Sequence, residues 1–336
     1  MRSFFIQKSK TTLLSLCCAL SVVPSLHASE SGTWALTHDN DGVVGTDYNY
    51  TSGLFFRWSS PDSEDLTKTA PFWISTPAEW LSLNPNAHQG WGVEVSQQMW
   101  APKDISQTQP QPNERPYAGL LYVKNSIYEQ TDSVANQYSF SLGLVGPDSY
   151  TEEAQKIIHS IIGSPDPQGW DNQIQYQPIA QLGVSTDRLI FRKPVSIYND
   201  IDMGWMARAE LGNYQSEVAL GGTFRFGEGL SDSFGSTGFT HGNFINTNFL
   251  SNSKQGLSFF SGYEFRYRFY DLTIEGDLPD GSPRVDTQHL QTTVVIGGVF
   301  YQPRWGVGLS LATSSADYEQ DHKEIYSYGS ITLFLR

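Results

Sequence analysis

Hydrophobic and polar residues alternate with a period of two along most of this chain, which is the pattern of strands with two unlike faces. Between 256 and 270, Leu257, Phe259, Tyr263, Phe265, Tyr267 and Phe269 alternate with Gly262, Glu264, Arg266 and Arg268. Between 202 and 211, Met203, Trp205, Ala207, Ala209 and Leu211 alternate with Asp202, Gly204, Arg208 and Glu210, and Met206 is the misfit. The segments 217–226 and 304–312 alternate as cleanly, with Gly, Thr, Ser and Arg on the second face. Weaker alternation marks 33–41, 49–58, 90–100, 116–128, 136–146, 177–190, 288–301 and 325–335. The pattern predicts about twelve strands, an even number, as bacterial transmembrane barrels have. A soluble β-sandwich or a lipocalin-like barrel would alternate in the same way.

The intervening segments differ among themselves. Residues 59–88 lack alternation and read as a long loop with a short helical piece. Residues 101–115 are polar and rich in Pro and Gln, and 228–255 are rich in Gly, Ser and Asn. Loops of this length are usually functional or mobile. Residues 150–163 read instead as a short amphipathic helix, with Glu152 and Glu153 in its first turn and Gly163 closing it.

Composition narrows the class. The 336 residues carry 35 acidic and 21 basic side chains, a net charge of −14, with 13% aromatics and 30 glycines. A chain this acidic is no general nucleic-acid binder, because neutralising phosphates needs clustered Lys and Arg. Low charge content with many aromatics argues against disorder. Residues 1–28 have the layout of a secretory signal peptide: Arg2, Lys8 and Lys10, an apolar stretch from about Thr12 to Val23, Pro24, then Ala28 at a cleavage site. Its removal leaves 18 basic against 35 acidic residues, a net of −17, and no cysteine, since Cys17 and Cys18 both lie inside it. The rest, 29–336, reads as one domain with no apolar run long enough for a membrane helix. An exported, aromatic-rich chain without disulfides or membrane helices fits the bacterial outer membrane, as an all-β transmembrane antiparallel barrel. Aromatics toward the strand ends suit interfacial girdles, and Glu264, Arg266 and Arg268 on one face suit a polar lumen. The terminal Leu333-Phe334-Leu335-Arg336 is an imperfect match to a barrel strand that ends in an aromatic.

Four places could carry chemistry. His38-Asp39-Asn40-Asp41-Gly42 ends the first strand with clustered oxygen donors, which suit a hard cation such as calcium and equally an ordinary turn. If Leu54, Phe56 and Trp58 face outward, Thr51, Gly53 and Phe55 face inward, and Thr51, opening the second strand, could then orient a ligand or a catalytic group. Gln155 and His159 are one helical turn apart on one face of the 150–163 helix, and a histidine is a competent general base near neutral pH. Arg115, in Asn113-Glu114-Arg115-Pro116-Tyr117-Ala118-Gly119, could take an anionic phosphate in bidentate fashion. There is no nucleophile elbow, zinc motif or phosphate loop.

Taken together, these pieces resemble the outer-membrane lipid A 3′-O-deacylases. The resemblance runs from about Trp34 to the end. It rests on Asn40-Asp41, Tyr50-Thr51 with Gly53-Leu54-Phe55, and Gln97, Trp100 and Pro102. It continues through Arg115-Pro116-Tyr117-Ala118-Gly119 and Gly146-Pro147-Asp148. It is most specific over Gln155, His159, Ile161-Ile162-Gly163, Trp170 and Gln173-Ile174, and ends at Tyr326-Ser327-Tyr328. It implies a twelve-stranded outer-membrane barrel with a site between its wall and a short helix. It also implies calcium-dependent removal of the 3′-linked acyloxyacyl chain from the lipid A of lipopolysaccharide. Carried over, His159 is the catalytic histidine, Asn40, Thr51 and Gln155 are its catalytic companions, and Asp41 with Asn40 holds calcium. Two positions depart. A loop lysine of the family falls at Gln107, with Lys103 the nearest lysine, and a glutamate after the helix is replaced by Pro165 and Asp166. Arg115 and Lys103 are the remaining candidates for substrate phosphates. A closed barrel of this kind can stand as a monomer. A phospholipase-type outer-membrane hydrolase and a non-enzymatic porin-like barrel remain open as alternatives.

Overall fold

The computed structural model describes residues 32–45, 48–250, 254–321 and 325–336. The signal peptide expected over 1–28 lies outside these residues. Twelve antiparallel strands are described: β1 (Thr33–Asn40), β2 (Asn49–Ser59), β3 (His88–Ala101), β4 (Ala118–Gln130), β5 (Val134–Val145), β6 (Gln177–Pro194), β7 (Asp200–Gly212), β8 (Gln215–Gly227), β9 (Gly256–Asp271), β10 (Leu290–Gln302), β11 (Trp305–Ser315) and β12 (Ile325–Leu335). Each strand pairs with its sequence neighbours, and β1 also pairs with β12, so the sheet closes and leaves no edge. Every expected strand is found, with ends displaced by a few residues.

The alternation sorts cleanly onto the two faces. Leu54, Phe56, Val95, Val123, Leu142, Leu220, Phe265 and Leu309 point outward and are exposed, which gives the barrel an apolar exterior. Inward positions hold charges that are buried and paired. Glu94 accepts from Arg57 and lies 2.7 Å from Lys124. Arg208 bridges Glu217 and Glu264, and Arg268 joins Glu217 to Asp271. In a lumen shielded from bulk water each charge needs such a partner.

The lumen is not wholly polar, which resolves the misfit at Met206. The stretch 228–250, part of the Gly-, Ser- and Asn-rich loop expected over 228–255, folds back into the barrel and buries Phe234, Phe239, Phe244, Ile245 and Phe249. Met206 points inward and belongs to the same core cluster as Phe239 and Phe260. The inserted segment is tied to the wall by polar contacts. Gln130 Nε2 donates to the carbonyl of Phe234 at 2.7 Å, Arg225 donates to the carbonyl of Ser233, and the Asn246 and Asn248 amides donate to Gln137.

Among the described residues four α-helices interrupt the strands: α1 (Leu66–Thr69), α2 (Phe72–Leu81), α3 (Thr151–Ile162) and α4 (Leu272–Glu275). Where a short helical piece was expected in 59–88, there are two helices. Asp65 caps α1, its carboxylate accepting from the Thr67 amide. The helix expected at 150–163 is α3. No helix among the described residues is long and apolar enough to cross a membrane. The strands do the spanning.

Candidate active site

Helix α3 has its polarity turned inside out. Thr151, Gln155 and His159 form an i, i+4, i+8 stripe and are buried, whereas Ile157, Ile158 and Ile161 are exposed. A helix in water would bury its isoleucines. This one turns a polar stripe to the barrel and its apolar face outward, as suits a helix lying on an apolar wall.

Several contacts fix the helix to that wall. Gly119 of β4 lies beneath its first turn. A Cβ built there would overlap the Thr151 and Ser149 hydroxyls and lie 2.9 Å from Thr151 Cβ. Gln97 of β3 donates to the Ser149 carbonyl at 2.7 Å, and the Ser149 and Thr151 hydroxyls are 2.9 Å apart. At the other end Gly163 takes the left-handed conformation (φ 74°), and its N–H bonds the His159 carbonyl.

On the wall, parity brings Asn40, Ser52 and Met99 to the outer face. Thr51 was expected to point inward with Gly53 and Phe55. A β-bulge between Tyr50 and Ser52 breaks the pairing with β3 there, and Thr51 and Ser52 both reach the outer cleft. Asn40, Asp41, Gly42, Thr51, Ser52 and Met99 of the wall and Gln155, Ile158, His159 and Ser164 of the helix segment enclose a cleft of about 130 Å³. Sequence reasoning had not singled out Ser52, Met99 or Ser164. Outward parity at the end of β3 is a signal that could have found Met99. The same parity, continued from Leu54 and Phe56, reaches Ser52, whereas the bulge that brings Thr51 round has no such signal.

Each polar group in the cleft is oriented by a neighbour. The Asn40 amide donates to the Thr51 carbonyl at 3.3 Å, and its Oδ1 packs over Gly42, where an added Cβ would sit 2.6 Å from it. Asp41 is buried and opens a 3-10 turn that ends at Gly45 (φ 81°), and its carboxylate accepts from the Tyr48 amide at 2.9 Å. Burial, together with the carboxylates of Asp321, Glu114 and Asp41, pushes the Tyr48 phenol up and keeps it neutral. The Gln155 Oε1 accepts from the indole N–H of buried Trp170 at 2.8 Å, while its Nε2 is buried with no hydrogen-bond partner among the described residues. Trp170 is itself packed on Tyr117, ring centroids 4.7 Å apart.

His159 Nδ1 lies 2.6 Å from the carbonyl oxygen of Pro165. A carbonyl only accepts, so Nδ1 carries the hydrogen and Nε2 is the basic nitrogen. Pro165 is one of the two departures from the family pattern, and its backbone here fixes the histidine tautomer. Asp166 beside it is exposed.

Other candidates lie elsewhere. Arg115 is buried, and its guanidinium donates to Asn49 and to the Thr273 hydroxyl and carbonyl, with Asp317 at 3.6 Å. It ties the 101–117 loop to the barrel mouth and is not among the residues that line the cleft, so the structure does not bring it together with the other candidates. Lys103 is exposed on the same loop, away from the cleft. Gln107, also exposed, donates to Asp104 at 2.9 Å.

For a cation, the cleft offers the Asp41 carboxylate, the Asn40 carboxamide oxygen and the hydroxyls of Thr51 and Ser52. This is an all-oxygen donor set of the kind hard cations take. No group of three or more His, Cys, Asp or Glu arranged to hold a metal occurs among the described residues. Calcium would therefore need carbonyl and water oxygens to complete its shell.

The family model "Outer membrane protein LpxR" matches residues 13–336. No curated protein matches the sequence. Among solved structures, LpxR from Salmonella typhimurium superposes with a TM-score of 0.75 at 16% identity, covering 90% of this chain and 99% of that one. The beta domain of the Bordetella autotransporter BrkA gives 0.42 at 10% identity over 92% and 100% of the two chains. The KdgM porin in complex with disordered oligogalacturonate gives 0.37 at 9% identity over 90% and 98%.

Proposed function

The chain belongs to the LpxR family of outer-membrane lipid A 3′-O-deacylases, and from that premise we propose that the cleft between the wall and α3 hydrolyses the 3′ ester with His159 as general base. The observation that carries this reading is the 2.6 Å contact between His159 Nδ1 and the Pro165 carbonyl. With Nδ1–H held by the Pro165 carbonyl, Nε2 is the nitrogen that can take a proton.

The step balances without a protein nucleophile. A water oxygen bonds to the ester carbonyl carbon as His159 Nε2 takes one of its protons. The tetrahedral centre collapses, the bond from carbon to the sugar oxygen breaks, and that oxygen receives the proton from His159. The products are an acyloxyacyl acid and a free 3′-hydroxyl. Gln155, its Oε1 engaged by Trp170, presents Nε2 as a donor for the water or the developing oxyanion. Thr51 and Asn40 position the substrate along the bulge of β2. Asp41, with Asn40 Oδ1, would hold calcium, which when bound would polarise the ester carbonyl. The exposed Ile157 and Ile161 set an apolar face beside the cleft, suited to acyl chains.

A porin-like role is disfavoured by the aromatic segment that folds into the lumen and narrows it. A phospholipase-type mechanism needs a serine nucleophile on the base; Ser160, next to His159 in sequence, points away from the cleft and donates to the Ile157 carbonyl, and retained turnover in Ser52→Ala and Ser164→Ala would exclude the two serines that line it. The test is hydrolysis of lipid A by the purified protein in water enriched in oxygen-18, with and without calcium. One label in the released acid, and none in the sugar hydroxyl, is expected only when calcium is present. Label in the sugar oxygen, or release that chelation leaves untouched, would overturn the mechanism.

A further inference from the structure

The segment joining β2 to β3 carries a second helical attachment to the outer wall, at the end of the barrel opposite the cleft. Helices α1 and α2 bury Leu66, Ile74 and Ala78 against Ile127, with Trp91 packed at the edge. Ile127 shares the outward face of β4 with exposed Val123, and Trp91 shares the outward face of β3 with exposed Val95. The helices thus cover the outside of the wall, where lipid would otherwise lie. Loop backbone supports the placement, since the Asn84 amide donates to outward-facing Glu129 at 2.6 Å.

The side of α2 away from the wall is aromatic. Phe72, Trp73 and Trp80 are 75%, 53% and 80% exposed, and Trp73 and Trp80 are two turns apart on one face. They continue a band of wall rings at the same level. Trp34 lies against Trp58, and Trp58 meets Trp91 edge-on at 4.8 Å. From Ser52 beside the cleft to Ser59 is about 23 Å of strand at ~3.3 Å per residue. A tilt of about 40° leaves ~18 Å along the membrane normal, most of the ~25 Å apolar band of such barrels. The cleft and this aromatic face therefore sit in opposite leaflets.

We propose that α2 is an interfacial foot whose Phe72, Trp73 and Trp80 insert into phospholipid of the leaflet opposite the cleft and fix how deep, and which way up, the barrel sits. The chosen partner is lipid because the face is continuous with the wall's aromatic band and the helix rests on the outward face of the wall, between exposed Val95 and Val123 and the barrel end. The attachment is apolar, since Asp62, Glu64, Asp65 and Glu79 outnumber Lys68 in the same segment.

The test uses the full chain with Cys17→Ser and Cys18→Ser, a nitroxide at Trp80→Cys, and vesicles of phosphatidylethanolamine and phosphatidylglycerol. Collision with dissolved oxygen and with a water-soluble nickel chelate reports depth. A label about 5–10 Å inside the headgroup boundary is expected, with one at Glu64→Cys remaining in water and no change between low and high salt. A residue-80 label as open to the nickel chelate as the one at residue 64 would overturn the proposal and leave the rings facing a protein partner. A depth that collapses in high salt would overturn the apolar basis.

Discussion

Replacing Gly119 with alanine should separate the barrel from its chemistry. Gly119 faces outward on β4, so the new methyl group leaves the lumen untouched and meets only the first turn of α3. It would sit 2.9 Å from Thr151 Cβ, where ordinary contact starts at 3.4 Å, and would overlap the Thr151 and Ser149 hydroxyls as well. The Thr151 hydroxyl cannot simply swing aside without giving up its 2.9 Å contact with Ser149. The helix must retreat by between about 0.5 and 1 Å, and Gln155 and His159 retreat with it. A displacement of ~1 Å at a catalytic group can cost about a hundredfold in rate, or ~2.7 kcal/mol at the barrier. The assay is lipid A deacylation by purified protein in micelles, beside heat-modifiability on gels to confirm the closed barrel. Adding Thr151→Gly, which removes the nearest carbon, should restore part of the rate. A folded Gly119→Ala protein with undiminished turnover would refute the claim that contact with β4 sets the position of the helix.

Other perturbations reach other parts of the account. His159→Ala should lower turnover by about 10²–10⁴-fold, the usual worth of a general base, with the barrel's thermal unfolding unchanged. Trp170→Phe keeps a ring on Tyr117 but removes the indole N–H that holds Gln155 Oε1, so kcat should fall more than KM, with a stability loss of ~1 kcal/mol in denaturant titrations. Asp41→Asn should raise the calcium concentration needed for half-maximal activity, and chelation should silence the unmodified protein reversibly. Arg57→Ala leaves buried Glu94 with Lys124 as its remaining ion-pair partner. It should cost about 3 kcal/mol, the low end for breaking a buried pair, measured by urea unfolding in micelles, while activity per folded molecule is retained.

Much of the fold was legible because a membrane wall enforces alternation residue by residue. Phe265 out and Glu264 in leave little freedom for β9, and the strand ends fell near the expected positions. The inserted 228–250 segment was not legible, because its Gly, Ser and Asn content masks seven buried apolar side chains, among them Phe234, Phe239, Phe244 and Phe249. At the site, the spacing of Gln155 and His159 was readable as one helical face. The outward turn of Thr51 depends on a bulge, and bulges leave no fixed mark in composition. The role of Pro165 was equally hidden, since a departure in side chain is answered by a backbone carbonyl. The surroundings of Arg115 were not legible either, because Asn49 and Thr273, which its guanidinium engages, lie 66 and 158 residues away in the chain.

The most direct test of the central claim is mass spectrometry of lipid A from outer membranes carrying this protein or its His159→Ala variant. The unmodified protein should remove the mass of a 3′-acyloxyacyl chain in the presence of calcium, and the variant, folded and present in equal amount, should leave lipid A intact. Equal loss of that chain with both proteins would contradict His159 as the base, and intact lipid A with both would contradict the cleft as a deacylase site.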